Sequence, residues 1–369
     1  MKMKIRSLRI RNYKIFQDID LDFTHNGETQ NFIVVAGVNG SGKTTLLKDI
    51  ICHTFQNMAM IPESLYHGDD LFDDVFIEVE YREKNAVRIF QIDTNTLKSD
   101  FPEHAIKFLF PKLKQVVFYE AGTADKKTAK DSFIRFVDSL IYEKGRRSTE
   151  AYSIIQDILN SVFQDFNLQI EFMGLDRDKE VLFKNSLAEK IKIEELSAGE
   201  QELITKAFSL YLADARESII LIDEPESSLH PDWQSRIAHI YQRFADKNNN
   251  QVILATHSPH IVSSVPREQI RVLAREGETV RAIKDFNGSY GWRVDKVLLE
   301  IFRLEGLRTP SVEKKLSHLR GMVFSEQYET AEFKELQNEL ERIIGYDDTD
   351  LVLIRMEIAK RTSRNEKNK

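Results

Sequence analysis

Residues 32–45 read FIVVAGVNGSGKTT, and the fold turns on them. Phe32 to Ala36 is a short apolar run rich in β-branched residues, the composition of a strand buried on both faces. Gly37 to Thr44 then matches G-x-x-x-x-G-K-[ST] without a mismatch. Beyond it, KTTLLKDIICHTF carries apolar residues at helical spacing. Strand, glycine loop and helix in this order make a cradle for phosphate. The stretch Gly37, Asn39, Gly40, Ser41 and Gly42 can curl so that successive N–H groups face one anion. The helix start adds the positive end of its dipole. Lys43 supplies a point charge for β and γ phosphates, and Thr44, followed by Thr45, offers a hydroxyl to Mg²⁺.

Downstream, SIILIDEP is a continuous apolar run that delivers Asp223 and Glu224 to the end of a strand. Ligands of open α/β sheets collect at that edge. Asp223 is the expected Mg²⁺ carboxylate, and Glu224 is placed to polarise an attacking water. Shortly before this strand, Leu196–Ser197–Ala198–Gly199–Glu200–Gln201 opens a helix with a polar, glycine-containing start. Ser197 and the amides around Gly199 form a second anion-binding helix start. The same letters spell S-x-x-E, a capping box between Ser197 and Glu200, and both readings can hold at once. QVILATHS is a further buried strand that ends on His257, flanked by Thr256 and Ser258.

In this order the motifs resemble those of ABC-type ATPase heads, over Lys4 to about Val272. LSAGEQ resembles the signature usually written LSGGQ, with Ala198 replacing one glycine and Glu200 inserted before Gln201, as in the repair-type branch. Residues 226–231, ESSLHP, resemble the D-loop, and His257 the switch histidine that touches the γ-phosphate. Arg11, Asn12, Tyr13, Lys14 and Phe16 resemble the opening stretch of SMC and RecF heads, where such side chains help hold ATP; surface charge on a strand is the plain alternative. A Q-loop glutamine is not identifiable: neither Gln115 nor Glu120 matches well.

The pairing of DEPE with SSLHP and THSP is most similar to OLD-type and RecF-like ATPases of anti-phage systems. The segment between the phosphate loop and the signature is too short, and lacks the heptads, for an SMC coiled coil. OLD-type nucleases continue into a TOPRIM domain. Here Glu305–Gly306 sits in a stretch that reads as helix, and Asp348 with Asp350 precedes another helical stretch, so that domain is not expected. The resemblance therefore implies a stand-alone ATPase subunit like those of Septu, retron or PARIS systems. It binds ATP and Mg²⁺ and forms a homodimer or a higher even-numbered oligomer. A separate effector supplies the nuclease, toxin or TOPRIM chemistry. In the dimer, Lys43, Thr44, Asp223, Glu224 and His257 of one protomer would meet Ser197 and Gly199 of the other. The alternatives are a RecF-like DNA-clamping ATPase and a scaffold that binds ATP without hydrolysing it.

The expected fold class is α/β: a P-loop ATPase head with a mixed or parallel core sheet, an inserted helical lobe and a helical C-terminal appendage. The head takes residues 1–285, with a phosphate-loop lobe at about 1–100 and 190–285 and the inserted lobe at about 100–190. Residues 286–360 form the appendage, and 361–369 read as a basic, disordered tail. In YETAEFKELQNELERIIG, Tyr328, Ala331, Leu336, Leu340 and Ile343 recur near helical spacing, and Gly345 ends the run. Composition agrees with a globular chain: 41% hydrophobic and 30% charged among 369 residues. No apolar run approaches the roughly 20 residues that span a bilayer, and the N-terminus alternates like a strand rather than a signal peptide. Cys52 alone excludes an internal disulfide and a Cys-rich zinc site, and reads as a core thiol. The cytoplasm is the expected compartment. A net charge of -7 argues against a chain coated in basic charge. Local clusters remain at Lys112/Lys114, Lys126/Lys127/Lys130 and Lys144/Arg146/Arg147; they could grip duplex DNA independently of sequence, or be a solvated surface.

Overall fold

The computed structural model describes residues 2–60, 75–83, 86–93, 98–99, 116–119, 126–163, 166, 170–185, 188–212, 215–283 and 286–367. Contacts divide the chain into two compact units, Met1–Val297 and Leu298–Lys369. The strands of the first unit, in chain order, begin with β1 (Lys2–Tyr13), β2 (Phe16–Asp22), β3 (Thr24–His25), β4 (Glu28–Thr29) and β5 (Phe32–Ala36). They continue with β6 (Val75–Glu83), β7 (Ala86–Asp93), β8 (Lys98–Ser99) and β9 (Val116–Tyr119). The last are β10 (Glu171–Leu175), β11 (Val181–Lys184), β12 (Ile191–Lys192), β13 (Ile219–Asp223), β14 (Gln251–Thr256), β15 (Ile270–Glu276) and β16 (Thr279–Ile283).

Eleven of these strands form one sheet, ordered β8-β7-β6-β1-β2-β16-β15-β5-β14-β13-β9. Its two halves obey different rules. The strands β9, β13, β14, β5 and β15 run parallel. Every residue of β5, β13 and β14 is buried, which is why these segments read as unbroken apolar runs. The strands β8, β7, β6, β1 and β2 are antiparallel, and β2 alternates buried and exposed residues as one-sided sheets do. The strand β16 joins the halves, antiparallel to β15 and parallel to β2. It was not expected from sequence: its short TVRAI follows a two-residue turn after β15 and carries no apolar run of its own. A buried glutamine ties the halves at a second place. Gln251 at the head of β14 accepts from the Ile5 N–H at 2.7 Å and donates to the Ile5 carbonyl at 2.7 Å, where β1 bulges.

One apolar core runs beneath both halves and includes Cys52, buried as its setting in an apolar helix pattern required. The inserted lobe is not purely helical. Beside helices Lys126–Asp138 and Ser148–Phe163 it holds the three-stranded sheet β10-β11-β12. Phe133, Phe172 and Phe183 pack there with ring centroids under 6 Å apart. The edge of β10 is covered by side chains of the neighbouring helix: Gln156 accepts from the Phe172 N–H, and the Tyr152 hydroxyl from the Leu175 N–H.

The second unit is a small helical bundle of Pro310–Phe324, Ala331–Ile344 and Thr349–Lys367 around Leu316, Leu319, Phe333, Leu340 and Leu351. Two expectations change here. The inward stripe of Ala331–Ile344 is the buried Phe333 and Leu340 with the partly buried Leu336 and Ile344, while Ala331 and Ile343 are exposed; Thr330 caps the Phe333 N–H and thereby sets the helix phase. The segment expected to be a disordered tail instead continues the last helix to Lys367, where Arg361 pairs with Glu357 one turn back. Asp348 and Asp350, which a metal-binding reading would have needed free, both accept hydrogen bonds from Arg308, and Arg320 also reaches Asp350. Among the described residues, no helix is long and apolar enough to cross a membrane.

Candidate functional site

The phosphate loop leaves β5 at Gly37, whose N–H donates to the Thr256 carbonyl at the end of β14. The loop glycines are dictated by close neighbours. A Cβ on Gly37 would lie 2.4 Å from Ser41 Oγ and 2.5 Å from the Leu273 carbonyl oxygen. One on Gly42, at φ +82°, would lie 2.5 Å from the Phe16 ring. Phe16, singled out as part of the N-terminal motif, thus serves as the floor of the loop. Asn39 and Gly40 form the exposed tip, and the guanidinium of Arg275 lies against Gly40. Sequence reasoning missed this arginine, because only the β15–β16 turn brings it alongside. Beyond Thr44 the helix is first wound wide, with i→i+5 bonds over Thr45–Cys52, and then tightens over His53–Met60.

Lys43 is 4% exposed. Its Nζ donates to the loop's own carbonyls, Gly37 at 2.8 Å and Val38 at 3.0 Å. Burial lowers its pKa, and the field of Glu224, Glu226 and Asp223 opposes that. Asp223, at the end of β13, is also buried, which raises its pKa; a hydrogen bond from Thr44 pulls it back down. Its Oδ1 is buried without a partner, as is Ser41 Oγ inside the loop. Orphaned buried oxygens are rare in folded proteins. An all-oxygen donor set of Thr44 and Asp223 fits a hard cation such as Mg²⁺.

Glu224 has φ +46°, an uncommon conformation for a residue with a side chain, and its N–H donates to the Ala255 carbonyl at 2.9 Å. His257 Nδ1 lies 3.1 Å from Glu224 Oε1 and 3.3 Å from Glu226 Oε1. Glu226 was read only as one letter of the D-loop, yet it organises the turn that carries His257. Its buried Oε1 accepts from Thr256 Oγ1 at 2.6 Å, the His257 N–H at 2.8 Å and the Ser258 N–H at 3.1 Å. Gln234 completes the turn, accepting from Ser258 Oγ and donating to the Leu229 carbonyl. No sequence signal marks these contacts, because the partners lie in different elements: the turn after β13, the end of β14 and the helix Pro231–Asn248.

The helix Ala198–Leu212 starts at a surface where Ser197 and Ala198 are exposed. The capping box is present. Glu200 accepts from both the N–H and the hydroxyl of Ser197, at 2.8 and 2.7 Å, and the Glu200 N–H faces Ser197 Oγ at 3.3 Å. Gln201 pins the start from beneath, donating to the Glu194 and Leu196 carbonyls. Gly199 has a reason inside the protomer: a Cβ there would lie 2.8 Å from the Trp233 ring.

The N-terminal residues lie at the β1–β2 hairpin. The Arg11 guanidinium pairs with Asp18 and Asp20 and bonds the Ile10 and Ile19 carbonyls, while Asn12 sits exposed near the end of β1 at φ +50°. Of the basic clusters, Lys130 pairs with Glu180 at 2.6 Å and Arg146 reaches Glu150. Lys112, Lys114, Gln115 and Glu120 lie outside the described residues.

These features agree with what the chain resembles. A crystal structure of an SMC head bound to the C-winged helix domain of ScpA superposes with a TM-score of 0.50 at 13% identity, covering 76% of this chain and 96% of that one. The fold is that of an SMC-like head. Among relatives, "Retron Ec83 probable ATPase" of Escherichia coli is 28% identical over 221 residues, 56% of this chain and 39% of the relative. "Septu protein PtuA" of Bacillus thuringiensis is 32% identical over 98 residues, 26% of this chain and 24% of the relative. The matches thus span well under half the length of both relatives. A family model described as "AAA domain" matches residues 3–68. Another, described as "AAA domain, putative AbiEii toxin, Type IV TA system", matches residues 62–263, more than half of the sequence, and to that family this chain belongs.

Proposed function

We propose that this protein is an ATP-binding and ATP-hydrolysing subunit of an anti-phage defence assembly, working as a head-to-tail dimer around two ATP molecules. In each composite site the phosphate loop cradles the triphosphate, and Lys43 exchanges the Gly37 and Val38 carbonyls for β and γ oxygens. Thr44 and Asp223 would hold Mg²⁺, which would neutralise charge on the phosphates. Glu224 orients the attacking water and takes its proton. His257, with Nδ1 held by Glu224 and Glu226, turns its other ring nitrogen to the γ-phosphate. Ser197 and the helix start at Gly199 close over the same nucleotide from the partner protomer. Hydrolysis reopens the pair, and the cycle gates an effector on a separate chain. That effector docks through the C-terminal helices, where Phe324, Leu353 and Met356 are exposed.

One observation carries this reading: a buried lysine, two acidic residues and a histidine converge at the ends of β5, β13 and β14, where Asp223 Oδ1 and the neighbouring Ser41 Oγ and Glu226 Oε2 are buried without partners. The relatives named for retron and Septu systems supply the biological setting. The test is the Glu224→Gln protein with ATP and Mg²⁺. It should bind nucleotide, accumulate as a dimer by light scattering, and lose turnover by about 10²–10⁴-fold. A persistent monomer, or turnover at the wild-type rate, sinks the proposal.

A second reading, a DNA-clamping ATPase without an effector, draws on the SMC-like head fold. The ion pairs of Lys130 and Arg146 weaken it. Strong, salt-sensitive stimulation of turnover by duplex DNA would favour it.

A further inference from the structure

The helix that starts at Ser197 carries a lysine that no motif mentions. Lys206 has a side chain only 11% exposed. Its Nζ donates to the Pro225 carbonyl at 2.8 Å and the Ser227 carbonyl at 2.9 Å, and lies 2.9 Å from Glu202 Oε1 on its own helix. An ammonium has three donors and no acceptor, and the carbonyls facing it belong to the turn that follows the acidic strand.

That turn is strained at both ends. Glu224 has φ +46° and Ser228 φ +65°, each a left-handed conformation that costs energy in a residue with a Cβ. Such a conformation persists only where surrounding contacts over-determine it. Here Ser227 donates twice to the Glu224 carbonyl, from its N–H at 3.1 Å and its Oγ at 2.9 Å. Ser227 is in turn held by its own carbonyl, on Lys206. The chain of contacts from helix to water-orienting carboxylate is therefore short: Lys206, Ser227, Glu224.

We propose that Lys206 is a positioning residue for hydrolysis, a strut that fixes Glu224 by clamping the Pro225–Ser228 turn to the helix begun at Ser197. This rests on Glu224 acting as the water-orienting group. The strut has a consequence for the dimer. Within one protomer, the helix start offered to the partner's nucleotide and the carboxylate that serves its own are joined by a single side chain. The link is not legible in the motifs, because LSAGEQ and DEPESS each read as complete without Lys206.

The test uses the full chain. Lys206→Met keeps the aliphatic stem and removes the donors. Its kcat should fall by about tenfold or more, while KM and the equilibrium affinity for ATP stay within about twofold, since a small misplacement of a catalytic group affects the reacting state and not the bound one. Lys206→Arg, with a planar fork in place of a point donor, should keep affinity and lose about threefold in kcat. Added to Glu224→Gln, Lys206→Met should lower the residual single-turnover rate no further, because the two act as one unit. Wild-type kcat in both Lys206 variants overturns the proposal, as does a loss carried by KM, or a loss that multiplies with that of Glu224→Gln. If Lys206→Met does not fold, Lys206→Arg decides alone. If Glu224→Gln by itself retains turnover, the functional reading fails, and that outcome is separate from any result at Lys206.

Discussion

Two loops in this protein lead into helix starts suited to anions, and they are built in opposite ways. At the phosphate loop the glycines are enforced by the molecule's own sheet, through Leu273 and Phe16; Lys43 and Ser41 are buried, and Ser41 Oγ lacks a partner. Beneath its exposed tip, that loop turns its polar side chains inward and leaves a buried oxygen unpaired. At the start of Ala198–Leu212, Ser197 is exposed, and its N–H and hydroxyl are already taken by Glu200. This loop faces outward and is self-satisfied. The difference means that, in the proposed dimer, a partner's phosphate meeting Ser197 must first displace a carboxylate of its own sign. On the proposed function, the first loop would bind before assembly, and the second would add its donors when a neighbour's nucleotide makes that exchange favourable.

The largest effect should come from breaking each loop in a different copy. Lys43→Met should abolish nucleotide binding, and Ser197→Arg should abolish turnover while sparing binding to the isolated protomer. Mixing the two inactive proteins should restore about a quarter of the wild-type rate, because half of randomly paired dimers are hybrids with one intact site. No recovery in a coupled ATPase assay would break the comparison. Next in size is Gly199→Ala, where the added methyl meets Trp233 at 2.8 Å and should cost about 1–3 kcal/mol in chemical denaturation. Trp233→Leu in the same chain should recover most of that loss.

A smaller change, Ser197→Ala, removes the cap and should cost about 1 kcal/mol of stability, read from the urea midpoint. The smallest is a pH effect at the inward loop. Burial holds the pKa of Asp223 above its ordinary 3.8, so folding is favoured by the protonated form. That stability is present below pH 3.8 and is lost as pH rises through the raised native pKa. Asp223→Asn should therefore melt higher than wild type near neutral pH without nucleotide, and its advantage should vanish as pH falls toward 3.8. A constant difference in Tm across that range would show that burial of the charge is not the cause.

The comparison also marks where reading the sequence works. Local chemistry was legible wherever one short segment carries it: the glycine loop, the strand ending in Asp223, the Ser197–Glu200 box. The strand β16 and the sheet within the inserted lobe were not, since TVRAI and the short β11 and β12 gain their order from neighbours rather than from a period of their own. Arg275, Glu226, Gln234 and Lys206 were missed for a related reason. Each meets a group distant in the chain, and an isolated Arg, Glu, Gln or Lys looks the same whether it is solvated or clamped.

What the sequence determined alone was the set of parts and their order: apolar runs that must be buried, glycines where backbone must bend, and acids and a histidine at strand ends. Periodicity and motif spacing are properties of neighbouring residues, so they survive without the fold. What only the tertiary structure decided was which part faces which. Hydrogen bonds such as those from Thr256 and His257 to Glu226 join residues some thirty positions apart, over distances near 3 Å. That closeness is set by the pairing of β13 with β14, a long-range choice that no local pattern encodes.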